Sequence, residues 1–157
     1  MPTNTMQSTT ALGLVRSGVC LQFLGLFWGI VVPLTPYPRI GLAAHIQFMG
    51  SGAMVLLAGI LLHQPSIIEL GSVQSRIVYW GFATVWFVIA SECANAFWGA
   101  NQMMAMAAAS AGAKGAAPWQ EQVVNAAHIF PSIGLILAFG VLLKELFAQR
   151  KEMKLKE

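Results

Sequence analysis

The sequence is poor in charge. Only 10% of its 157 residues are charged, while 57% are hydrophobic. A soluble domain carries about a quarter charged residues. Too few charges remain to coat a water-facing surface, which argues against a soluble globular domain and makes lipid the expected solvent for most of the exterior. Cysteine is scarce as well. Cys20 and Cys93 both fall inside apolar runs, so they are expected as core thiols and not as a disulfide. There is no CxxCH, so any haem would be held without a covalent link. A phosphate-binding glycine loop, an HExxH pair and a nucleophile elbow are also missing, which removes the common nucleotide, zinc-protease and hydrolase readings. Residues 1–10 are polar and lack a basic stretch, so no cleavable signal peptide is expected. The net charge of +3 is small and gathered in the last residues, which suits an anionic membrane surface better than nucleic acid.

Long apolar runs dominate what is there. About 20 apolar residues suffice to cross a bilayer. Four runs reach that length, at about residues 11–34, 40–62, 77–98 and 123–147. The first stops at Thr35-Pro36-Tyr37-Pro38, where two prolines prevent helix continuation. The fourth contains Pro131, which removes one helical hydrogen bond and is expected to kink the span. The fold class that follows is all-α: a single membrane domain built as a four-helix transmembrane bundle, with a basic tail at 148–157. The segment 101–122, rich in Ala, Gly and Met, is expected to cover a site, either as a short helix or as a loop. Lys144, Arg150, Lys151, Lys154 and Lys156 place the tail in the cytoplasm, and four spans bring the amino terminus to the same side. Trp28, Trp80, Trp98 and Trp119 fall near the expected interfaces, as an aromatic belt does.

Polar residues inside these spans carry the functional signal, because an ionisable group at the bilayer centre costs roughly 2.5–3.5 kcal/mol on insertion scales unless it is paired. Arg16 can reach back to the interface as an anchor, and Gln22 reads as glue between helices. His45, Glu92, Asn95 and His128 come from three different spans and fall in the same half of the membrane, where they are expected to converge on one pocket. Each has a plainer reading. His45 could only hold helices together, His128 could satisfy the backbone freed by Pro131, and Asn95 and Ser51 could be helix glue. A neutral imidazole on an apolar helix is also an axial ligand for b-type haem. Two such ligands would make an electron carrier; one would leave iron an open position for Lewis-acid chemistry. A non-enzymatic accessory subunit is the third class.

The segment Ala43-Ala44-His45-Ile46-Gln47-Phe48-Met49-Gly50-Ser51-Gly52-Ala53-Met54 resembles the second span of the hydroxylaminobenzene mutases and the related styrene oxide isomerases, which are short four-span membrane proteins. The stretch from Trp86 to Gln102, with Glu92, Asn95 and Asn101, is similar to their third span. The resemblance implies an isomerase. The mutases move a hydroxyl from the nitrogen of an arylhydroxylamine to the ortho carbon, giving a 2-aminophenol, and the related enzymes turn an epoxide into an aldehyde. It further implies haem b bound between subunits of a homotrimer, with His45 as the metal ligand, Ser51 beside the cofactor, Glu92 and Asn95 as catalytic groups, and Asn95, Asn101 and His128 as contacts for a small hydrophobic aromatic substrate. The bacterial inner membrane is the implied location. Ser51 stands where the epoxide isomerases have asparagine, and Ser91 or Glu92 where they have tyrosine, which favours the mutase reaction.

Overall fold

A computed structural model describes residues 5–154, with side chains described for 5–148. Four helices are long and apolar enough to cross a membrane, and among the described residues there is no strand. Helix α1 (Thr5–Val31) ends in a 3-10 turn at Val32–Leu34. It is followed by α2 (Pro38–Leu62), α3 (Ser72–Ala83), α4 (Val85–Trp98), the short α5 (Ala105–Ser110) and α6 (Pro118–Lys154). Helices α3 and α4 together form the third span. They are central: α3 packs on α1 and α6, and α4 packs on α2 and α6. Many large apolar side chains, such as Phe23, Ile30, Phe87 and Ile136, point outward, as they should where the surrounding solvent is lipid.

The spans begin earlier than hydropathy indicates. Helix α1 starts six residues before the apolar run because its polar first turn has partners. Gln7 is 1% exposed. Its Nε2 donates to the Leu62 carbonyl at 2.9 Å and the Ile68 carbonyl at 3.1 Å, and its Oε1 accepts from the Leu70 N–H at 2.8 Å. One side chain therefore ties the loop after α2 to the start of α1. Gln7→Ala removes these three bonds, at about 2 kcal/mol, and is expected to lower the thermal midpoint of the purified protein by roughly 5 °C; an unchanged midpoint would show that the loop is held by other means. Helix α3 likewise starts at Ser72 rather than residue 77, with the Gly71 N–H bonded to Gln74 Oε1 at 2.6 Å.

The third span is broken at Thr84. Its hydroxyl donates to the Gly81 carbonyl at 2.6 Å, a local bond that competes with the helix ladder. The fourth span, by contrast, runs through Pro131 as one helix and reaches Lys154, so the expected tail is largely a helical extension. Its last three residues lie outside the described part. Cys20, expected in the core, is exposed on the outside of α1, and Cys93 is half-buried; both are free thiols. Trp28, expected at an interface, packs inward and donates Nε1–H to the Gly41 carbonyl at 2.9 Å. Trp98 and Trp119 do meet, edge to face at 5.2 Å.

Glycine decides how closely α1 and α2 approach. A Cβ on Gly18 would stand 2.6 Å from the Leu56 nitrogen, and one on Gly59 would stand 2.7 Å from the Val15 nitrogen. Only a bare Cα permits backbones this near, and dispersion between them replaces the hydrophobic effect that lipid does not supply.

Candidate functional site

The end of the bundle that carries Pro38, Trp98 and Pro118 holds every candidate site residue except Ser51. Its level is fixed by the Tyr37 N–H, which donates to the Ala96 carbonyl at 3.2 Å and so ties the start of α2 to the end of α4. Counting about 1.5 Å per residue from that link, Glu92 lies about 6 Å and His45 about 12 Å into the bundle. They share one half of the membrane, as the sequence indicates.

Glu92 and His128 are together. His128 Nε2 stands 3.1 Å from Glu92 Oε1, while His128 Nδ1 donates to the Val124 carbonyl at 2.8 Å. A carbonyl only accepts, so Nδ1 keeps its proton and a single further proton lies between Nε2 and the carboxylate. Glu92 is 5% exposed, and its second oxygen, Oε2, is buried without a hydrogen-bond partner among the described residues. Such an orphaned acceptor costs about 1–3 kcal/mol.

His45 turns toward α1. Its Nδ1 pairs with the Gly25 carbonyl on α1 at 2.8 Å, and its ring lies so close to Gly29 that a Cβ there would be 3.1 Å from Cε1. The glycine face of α1 takes the imidazole, whereas Glu92 and His128 pair with each other. Among the described residues no hydrogen bond joins His45 to either. The bond to Gly25 fixes the proton on Nδ1 and leaves the Nε2 lone pair without a hydrogen-bond partner among the described residues, which is the tautomer and orientation of a metal-binding histidine.

The remaining candidates are committed locally. Asn95 is fully buried; its Oδ1 accepts from the Ala100 N–H at 2.7 Å and its Nδ2 donates to the Ala100 carbonyl at 3.2 Å. It fixes the turn that leaves α4 at Gly99, whose φ of 73° suits glycine. Ser51 is buried and accepts from Gln47 Nε2 at 3.1 Å on its own helix. The Asn101 side chain lies against Gly115 in the segment above α4. That segment contains α5, which packs Ala108 against Ile40 and Ala96 and so covers this end of the bundle.

Glu121 escapes a reading by hydropathy, because it precedes the apolar run and looks like a solvent-facing charge. It is 4% exposed. Its carboxylate accepts from the N–H groups of Asn101 at 3.0 Å, Gln102 at 3.1 Å and Ala116 at 3.0 Å. Thus it clips both ends of the cover to the start of α6. The signal was Pro118 followed three residues later by an acid, the pattern of a helix start.

An apolar cleft of about 640 Å³ also lies between α4 and α6, with Phe87, Ser91, Trp98, Ala127 and Phe130 among its walls. Neither Glu92 nor His128 lines it.

Fold and site together define a polytopic membrane protein with an acid–imidazole pair buried in its bundle. The chain matches the family model of styrene oxide isomerase over residues 10–147 and belongs to that family. It is 35% identical over 119 residues to hydroxylaminobenzene mutase HabA of Ectopseudomonas oleovorans, covering 71% of this chain and 80% of that protein. It is 31% identical over 133 residues to hydroxylaminobenzene mutase HabB of the same organism, covering 83% of this chain and 77% of that protein. No solved structure matches. The protein is accordingly a multi-pass membrane isomerase of this family.

Proposed function

We propose that the protein converts an arylhydroxylamine of the hydroxylaminobenzene type to a 2-aminophenol by intramolecular hydroxyl transfer, as a homotrimer in the bacterial inner membrane with both termini cytoplasmic. The observation that carries the reading is the buried Glu92–His128 pair with one carboxylate oxygen left over. The names of the mutase relatives support the substrate class.

The reaction balances without oxidant or reductant. The N–O bond breaks, a C–O bond forms at the ortho carbon, that carbon loses a proton and the nitrogen gains one. Two proton movements are thus required, and the pair can serve both. Glu92 Oε2 takes the ring proton, and the proton held between Oε1 and Nε2 is returned to nitrogen through the same carboxylate. The carboxylate also stabilises positive charge on the ring while the N–O bond is broken. Burial keeps bulk water from capturing that cation. Asn95 positions the turn beneath the cover, Glu121 holds the cover down, and to Asn101, within the cover, we assign a substrate contact.

Haem b fits the donor set of this chain. Among the described residues no three His, Cys, Asp or Glu side chains are grouped as a bare metal ion would need, so iron here would bring most of its ligands in a macrocycle. His45, with Nδ1 anchored and Nε2 unpartnered, would hold it, with Ser51 on the same helix. When bound, ferric haem supplies a Lewis acid for the substrate heteroatom. An electron carrier would require His128 as second axial ligand, but both His128 ring nitrogens are engaged. Epoxide-to-aldehyde isomerisation is the second reading, favoured by the name of the family model.

Reconstituted protein supplied with hydroxylaminobenzene in 18O-water tests the proposal. The expected product is 2-aminophenol without label. Labelled product, or no turnover alongside conversion of styrene oxide to an aldehyde, would reject hydroxyl transfer.

A further inference from the structure

The opposite end of the bundle carries a second polar feature, unrelated to the acid–imidazole pair. A cleft of about 510 Å³ lies between α1 and the start of α3, and its walls include Thr9, Thr10, Arg16, Arg76, Tyr79 and Trp80. Two guanidinium groups thus line one cavity. Among the described residues neither has a carboxylate within salt-bridge distance, the ion pairs being His128–Glu92 and Lys144–Glu145. Arginines gathered without an acid are an anion site in waiting, since each offers planar donors matched to phosphate oxygens.

Position chooses the source of the anion. Arg76 is the fifth residue of α3, next to the polar loop, and Arg16 lies about 7–8 Å beyond the point where α1 turns apolar at Ala11, within reach of the interface for a side chain that extends back toward the helix start. Tyr79 packs against α1, where a Cβ at Gly13 would meet its ring at 3.0 Å. It packs edge to face on the outward-facing Trp80 at 5.4 Å, and tyrosine and tryptophan favour the headgroup level. Leu12 and Met6 continue the wall as apolar surface. Charge at headgroup depth, an aromatic rim and an apolar flank match an amphiphile better than a free ion.

We propose that this cleft binds the phosphate of an anionic phospholipid headgroup, with Arg16 and Arg76 as the phosphate ligands. A surface arginine near a membrane contributes about fivefold in affinity, so the two together contribute about 30-fold. The test is native mass spectrometry of the full-length protein released from nanodiscs of phosphatidylcholine with one fifth phosphatidylglycerol. Retention of phosphatidylglycerol over phosphatidylcholine by about 30-fold is expected, and near-equal retention would overturn the proposal without any mutation being made. Arg16→Gln/Arg76→Gln should remove the preference, whereas Arg39→Gln, at the other end of the bundle, should keep it; the same loss in both would show a general charge effect and no site. Thermal stabilisation by inorganic phosphate equal to that by the lipid would overturn the headgroup as source.

Discussion

Glu92→Gln is expected to lower kcat for hydroxylaminobenzene about 1000-fold while the protein stays folded. The amide has the shape of the acid and can still bond His128, so packing is preserved. What it loses is the basic Oε2 and the proton shared across 3.1 Å, and a positioned acid or base contributes about 100- to 10,000-fold. Steady-state turnover in detergent or nanodiscs measures this. His128→Ala should cost a comparable factor, because its imidazole shares the proton with the same carboxylate. The double variant should be little worse than either single one, as for groups that act as a unit. Multiplying effects would mean that the two side chains work separately. Unchanged turnover in Glu92→Gln would remove the acid from the chemistry.

The second large effect belongs to His45. His45→Gly should lose turnover by at least about 1000-fold, since an unheld Lewis acid gives up both its position and its charge stabilisation. The variant leaves a space the size of the ring beside Gly29, and the Gly25 carbonyl loses its partner. Added imidazole can fill that space, accept the same orientation from Gly25 and restore part of the rate. Rescue separates ligand loss from misfolding, because a misassembled bundle has no cavity to fill. Absence of rescue together with a lowered thermal midpoint would mark His45 as a packing residue between α1 and α2.

Several features were legible in the chain and others were not, for physical reasons. Apolar length alone gives four spans, and the prolines at 36 and 38 give the first turn. Helix ends were hidden because polar residues such as Gln7 are buried by loops distant in sequence, and hydropathy scores them as solvated. Glu121 was hidden in the same way: its three N–H partners lie in the cover segment, none of them within the apolar run. The meeting of Glu92 with His128 could be anticipated from depth, because a buried carboxylate needs a partner. Depth says nothing of direction around the helix, however, and so the turn of the His45 ring toward α1 could not be read from it. The missing direction was present in the spacing of glycines. Gly18, Gly25 and Gly29 follow one face of α1, and Gly52 and Gly59 one face of α2, so the two helices had to meet closely beside His45.

Under the proposed function the α1–α2 seam at His45 would hold the haem, and the α4–α6 seam at Glu92 and His128 would move the protons. The visible absorption spectrum of purified His45→Ala and His128→Ala, beside the wild-type protein, tests that division most directly. A haem Soret band is expected in the wild type and in His128→Ala, and it should vanish in His45→Ala. A band that survives loss of His45, or that disappears with His128, would contradict it.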